Sequence, residues 1–120
     1  MMKEELKKWI EQAEKDFDTA RYNLIGKKIG AAIFYSQQAA EKALKTLYIK
    51  KYKKLLKIHD LVLLARKVNA PKEIIVLCSK INPAYTDARY PDLSRDYSEK
   101  DAQEIINFAE EVLKWTKKSL

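Results

Sequence analysis

The chain has one cysteine, one histidine, two glycines and three prolines in 120 residues. A single cysteine excludes any intrachain disulfide and suits a reducing compartment. Cys78 sits in the apolar run IIVLCSKI and reads as a buried structural thiol. One histidine and one cysteine cannot assemble a zinc site by themselves, so neither a metal nor another cofactor is expected. So few glycines and prolines leave too few turn residues for a compact all-β fold. No apolar run approaches the roughly 18 residues that cross a bilayer. The opening MMKEELKKW lacks the apolar centre of a signal peptide. These absences point to a cytoplasmic, mostly helical chain, read as one domain over residues 1–120.

Apolar side chains recur in steps of three and four. Leu6, Trp9, Ile10, Ala13, Phe17, Ala20 and Leu24 form the stripe of a first helix, residues 3–25, with Gly26 expected as its C-terminal cap. A second long helix is expected over 28–52. Its stripe is rich in alanine, and Glu41 and Lys45 pair at i, i+4. A short helix follows over about 59–68, with Leu61, Leu64, Ala65 and Val68 inward. A fourth starts near Pro71, placed in its first turn, and ends or kinks at Asn82-Pro83. Ser98 begins a last helix, where SEKD resembles a capping box with Asp101 in the third position. Its stripe is Ala102, Ile105, Ile106, Ala109, Val112, Leu113 and Thr116. The expected architecture is an all-α, up-and-down bundle of four to five helices. Trp9, Phe17, Phe34, Phe108 and Trp115 lie on or near apolar stripes and read as core or dimer contacts.

Charge is uneven. The formal net charge is +7. Residues 1–57 carry fourteen Lys/Arg against seven Asp/Glu, whereas 58–120 carry ten of each. The excess concentrates toward KKYKKLLK, where Lys50, Lys51, Lys53, Lys54 and Lys57 stand without an acid. The run reads either as a solvated face or as a phosphate-binding surface.

Two further features invite a choice. His59 directly follows the lysine run and serves either as a capping or packing residue, or in proton transfer or phosphate binding. The stretch TDARYPDLSRDY interrupts the helical pattern between the last two helices. It is either a corner of surface ion pairs, or a site in which Arg89 offers a fork of donors and Tyr90 a stacking face.

Four segments together resemble the HEPN family (higher eukaryotes and prokaryotes nucleotide-binding). They are WIEQAEKDFDTAR, FYSQQAAEKALKTLYI, IHDLVLL and YTDARYPD, in family order along nearly the whole chain. The resemblance implies an up-and-down helical bundle, usually a homodimer. It also makes Arg89-Tyr90-Pro91 a family signature rather than an arbitrary loop. The family's metal-independent ribonucleases carry arginine, four to six residues, then histidine. Lys54, Lys53 and Tyr52 stand where that arginine would precede His59. Ser94, Arg95 and Asp96 stand where the histidine would follow Arg89. The motif is absent; a composite Arg89–His59 site is geometrically open, but spacing does not support it. The expectation is a non-catalytic homodimer that binds nucleotide or RNA through Arg89, Tyr90, His59, Lys53 and Lys54. In place of that binding, or together with it, it would pair with a minimal nucleotidyltransferase in a toxin–antitoxin-like module. The alternative is a metal-independent ribonuclease with a divergent site.

Overall fold

A computed structural model describes residues 2–89 and 96–120. The described residues form helices only: α1 (Met2–Ile25), α2 (Ile29–Tyr52), α3 (Leu61–Lys67), α4 (Lys72–Ile81), α5 (Pro83–Asp87) and α6 (Glu99–Ser119). The five expected helices are present, and α5 is a short addition. Among the described residues no helix is long and apolar enough to cross a membrane.

α1 and α2 form an antiparallel pair, and α6 packs against both. Alanine at 13, 20, 32, 39, 40 and 43, all fully buried, lets these helices approach closely. α3 and α4 close the core from the other side through Leu61, Leu64, Ile74 and Ile81. Cys78 lies in this core as a free thiol. Burial, reinforced by the Asp60 carboxylate, pushes its pKa up to about 12, so it is an inert packing group.

Several ends differ from expectation for local reasons. α1 closes in a Schellman motif: Lys28 N donates to Asn23 O at 2.8 Å and Lys27 N to Leu24 O at 2.9 Å. The left-handed residue is Lys27 (φ 61°), not Gly26. The Lys27 ammonium reaches Glu99 at 3.0 Å, tying this turn to the start of α6. Pro71 is the N-cap of α4 rather than a residue of its first turn. At Asn82 the backbone stays helical (φ −46°, ψ −46°), and Pro83 opens α5 at a position where its missing N–H costs nothing. The helical pattern therefore runs on through Asp87 instead of stopping at Thr86. The capping box at α6 forms as expected: Ser98 Oγ accepts from Asp101 N at 3.0 Å, and Asp101 Oδ2 from Ser98 N at 2.9 Å.

Candidate functional site

α2 is the central helix, touched by α1, α3, α4, α5 and α6. Several of its polar residues, Gln37, Glu41 and Lys45 among them, are consequently buried. Glu41 forms the i, i+4 pair with Lys45 at 2.9 Å, but their side chains are only 6% and 8% exposed. The expected pair therefore forms in the interior. Gln37, fully buried one turn earlier, donates to Glu41 Oε1 at 3.0 Å, and Gln38 donates to Gln37 Oε1 at 2.7 Å. Burial alone would raise the Glu41 carboxyl. Hydrogen bonds from Gln37, Lys45 and His59 outweigh it and hold the group below its ordinary value.

His59 does not begin α3. It precedes Asp60, the N-cap, whose Oδ1 accepts from Val62 N at 3.0 Å and Leu63 N at 3.3 Å. Asn82 locks this corner to the α4–α5 kink. Its Oδ1 accepts from Leu61 N at 2.8 Å and its Nδ2 donates to Asp60 Oδ1 at 3.0 Å. That amide contact is the main reason the Asp60 carboxyl is held below its ordinary value.

With its backbone fixed, His59 turns Nδ1 to Glu41 Oε1 at 3.0 Å. A carboxylate facing Nδ1 keeps a proton there and leaves Nε2 outward. The His59 side chain is 51% exposed, so the imidazole is accessible from solvent. The imidazole stacks on Tyr85 of α5, centroids 4.4 Å apart and planes 17° from parallel. Arg89, one turn after Tyr85, sets its guanidinium carbon 4.8 Å from the same ring centroid and donates to Tyr85 Oη. Tyr85 thus joins His59 and Arg89, thirty positions apart, into one cluster backed by the buried Glu41–Lys45 pair. Next to it, Tyr97 Oη donates to Asp87 Oδ2 at 2.6 Å, which links the start of α6 to α5.

Of the expected ligand residues, His59 and Arg89 come together. Tyr90 lies outside the described residues. Lys53 and Lys54 belong elsewhere: Glu41 is twelve residues before Lys53 on α2, about 18 Å along the axis. Lys53 is left-handed (φ 59°), closes α2 by donating from its backbone to Ile49 O, and turns its ammonium to Lys50 O at 3.0 Å. The chain then needs the extended segment from Lys53 to His59 to return. Sequence reasoning missed Glu41, Gln37 and Tyr85 as members of the cluster. The available signals were the i, i+4, i+8 series Gln37–Glu41–Lys45 on an alanine-rich helix, and Tyr85 four residues before Arg89. Among the described residues no group of three or more His, Cys, Asp or Glu could hold a metal ion.

Comparison with known proteins matches this architecture. The HEPN domain model matches residues 6–120. The crystal structure of TT1696 from Thermus thermophilus is similar with a TM-score of 0.88 and 26% identity, over 96% of this chain and 98% of that one. ST0689, described as an archaeal HEPN homologue, is similar with a TM-score of 0.80 and 36% identity, over 95% and 96%. None of the curated proteins matches. A family match over nearly the whole length, with two solved structures of the same fold, places the chain in the HEPN domain family.

Proposed function

We propose that this HEPN chain binds the phosphate of a nucleotide or of RNA at the His59–Tyr85–Arg89 cluster, without chemistry of its own. The observation that carries this reading is the meeting of His59 and Arg89 on one tyrosine ring. A guanidinium offers several donors in a fixed plane to a phosphate. The buried Glu41 fixes the imidazole, so the site needs little reorganisation to bind.

Arg89→Lys tests it. The variant keeps the charge and loses the planar fork. Losing one charge-assisted hydrogen bond is worth about 1.5–3 kcal/mol, so nucleotide or RNA affinity should fall roughly tenfold or more. Calorimetric titration and thermal melting are run on the same protein. A lower melting temperature with unchanged affinity would make Arg89 a structural corner and end the proposal.

The reading includes a homodimer, supported by apolar side chains left in solvent such as Tyr22 (77% exposed) and Ile25 (81%). Light scattering should give twice the 14.0 kDa chain mass at micromolar concentration, and a monomer would exclude it. Pairing with a minimal nucleotidyltransferase, in a toxin–antitoxin-like module, rests on the family resemblance, and co-purification of the two proteins tests it.

One observation favours a second reading, a metal-independent ribonuclease. Glu41–His59 is a carboxylate–imidazole dyad with Nε2 outward and a guanidinium nearby, the groups that 2′-hydroxyl attack on a phosphate requires. RNA cleavage that survives EDTA and disappears in His59→Ala would replace binding by catalysis.

A further inference from the structure

The surplus positive charge gathers at one end of the bundle. The C-termini of α2, α3 and α6 meet there, and side chains of α2 tie them together. Lys50 Nζ donates to Leu120 O at 2.8 Å, while Lys51 Nζ (3.1 Å) and Tyr52 Oη (3.0 Å) share Lys67 O. Segments 47–57, 64–70 and 112–120 contain ten Lys/Arg and no Asp or Glu. Lys117 leaves the group, pairing with Glu14 at 3.2 Å on another face. Each helix C-terminus carries about −0.5 of a charge. Three such ends offset only a small part of the remaining cations.

A cleft of about 430 Å³ opens among these cations, between α2, the turn after α3, and α6. That volume lies within the roughly 300–1,000 Å³ of small-molecule sites. Leu47, Val68 and Trp115 supply apolar and aromatic lining, and Lys50 and Lys51 supply charge. Each ammonium has three donors, so a bond to one carbonyl fixes the lysine in place and leaves donors for an anion.

We infer that this cleft is a second, separate site for a single-stranded oligonucleotide, with a base against Trp115 and the phosphates along Lys50, Lys51 and Lys54. A cleft lined by lysines, with no carboxylate in the lining and an aromatic wall beside them, is the combination that single strands use. The site shares no lining residue with the His59 cluster, whose anchor Glu41 lies nine and ten residues before Lys50 and Lys51, about 14–15 Å along α2.

The chain has two tryptophans, so Trp9→Phe leaves Trp115 as the sole indole emitter. That protein is titrated with ten-residue oligouridylate, following tryptophan emission. Saturable quenching is expected. Affinity should fall with salt at a log–log slope of about −0.7 per phosphate neutralised. Replacing Lys50 and Lys51 together by Ala should weaken binding at least tenfold and flatten the slope by about 1.4. Because those lysines also brace helix ends, Lys54→Glu is made in parallel. It braces no helix end and should still weaken binding severalfold at unchanged melting temperature. Arg89→Lys should leave the Trp115 signal within twofold. The inference is overturned by oligouridylate that leaves Trp115 emission unchanged. It is also overturned by an effect of Arg89→Lys as large as that of the lysine pair, or by inorganic polyphosphate quenching as well as the oligonucleotide.

Discussion

Glu41→Ala should destabilise the fold by about 3–5 kcal/mol, the usual cost of removing one partner of a buried ion pair. The substitution strips three donors of their acceptor at once. Lys45, 8% exposed, keeps a charge with no carboxylate beside it. Gln37 Nε2 and His59 Nδ1 lose the oxygen they share. Against a total stability of about 5–15 kcal/mol, a loss of this size leaves a marginal protein. Urea denaturation with an unchanged slope and a lowered midpoint reads it directly. The cost lies in the orphaned lysine rather than in the lost pair. Glu41→Leu combined with Lys45→Met should therefore recover most of the stability, while still releasing His59. A loss below about 1 kcal/mol in Glu41→Ala would mean that Lys45 reaches water, and that the pair is not interior.

The same carboxyl carries an acid signature. Glu41 and Asp60 are both held below their ordinary values, 4.5 and 3.8, so the unfolded chain binds more protons than the folded one. Their contribution is fully present above those values. It disappears as pH falls through the lower, folded-state values. Melting temperature should accordingly drop between pH 6 and pH 3, and the Glu41→Leu, Lys45→Met double variant should lose less over that interval.

Periodicity read the outer helices well because each buries a single face. All seven residues of the α6 stripe, from Ala102 to Thr116, are buried. Ser98 and Asp101 form the capping box that SEKD suggests, since a cap is a local device set by four neighbouring residues. α2 defeated the same reasoning because tertiary contact surrounds it. Gln37, Glu41 and Lys45 occupy positions that would face solvent on an outer helix, but α2 is contacted by all five other helices and the three are buried. The site was half legible. His59 and Arg89 stand out as residue types, but a search for both in one segment cannot find a pair joined by Tyr85 across the Asn82–Pro83 kink. Lys53 and Lys54 look like neighbours of His59 on the line of the chain. Helical rise on α2, followed by an extended return, puts them at the other end.

Leu64→Ala carries the second large effect, and it links the core to the site. α3 has seven residues, too short to be stable as an isolated helix, so packing must hold it. Its buried anchors are Leu61, Leu64 and Ala65, all fully enclosed. Truncating Leu64 removes the transfer energy of three carbons and leaves a cavity, costing about 2–5 kcal/mol. At roughly 3–5 °C per kcal/mol for a chain of this size, melting should fall by at least about 6 °C. The larger consequence is local. α3 is held at one end by Asp60 and Asn82 and along its length by these leucines, so loosening it frees the segment that presents His59. Phosphate affinity at the His59–Arg89 cluster should then fall even at temperatures where the variant is fully folded. Oligonucleotide binding at Trp115 should change less, because the end of α3 supplies only Val68 and Asn69 to that cleft, while Lys50, Lys51 and Trp115 are carried by α2 and α6. Hydrogen exchange of the Val62 and Leu63 amides, which the Asp60 cap protects, measures the loosening itself. If those amides keep their protection while stability falls by the full amount, α3 has repacked without moving, and ligand affinity should be unchanged.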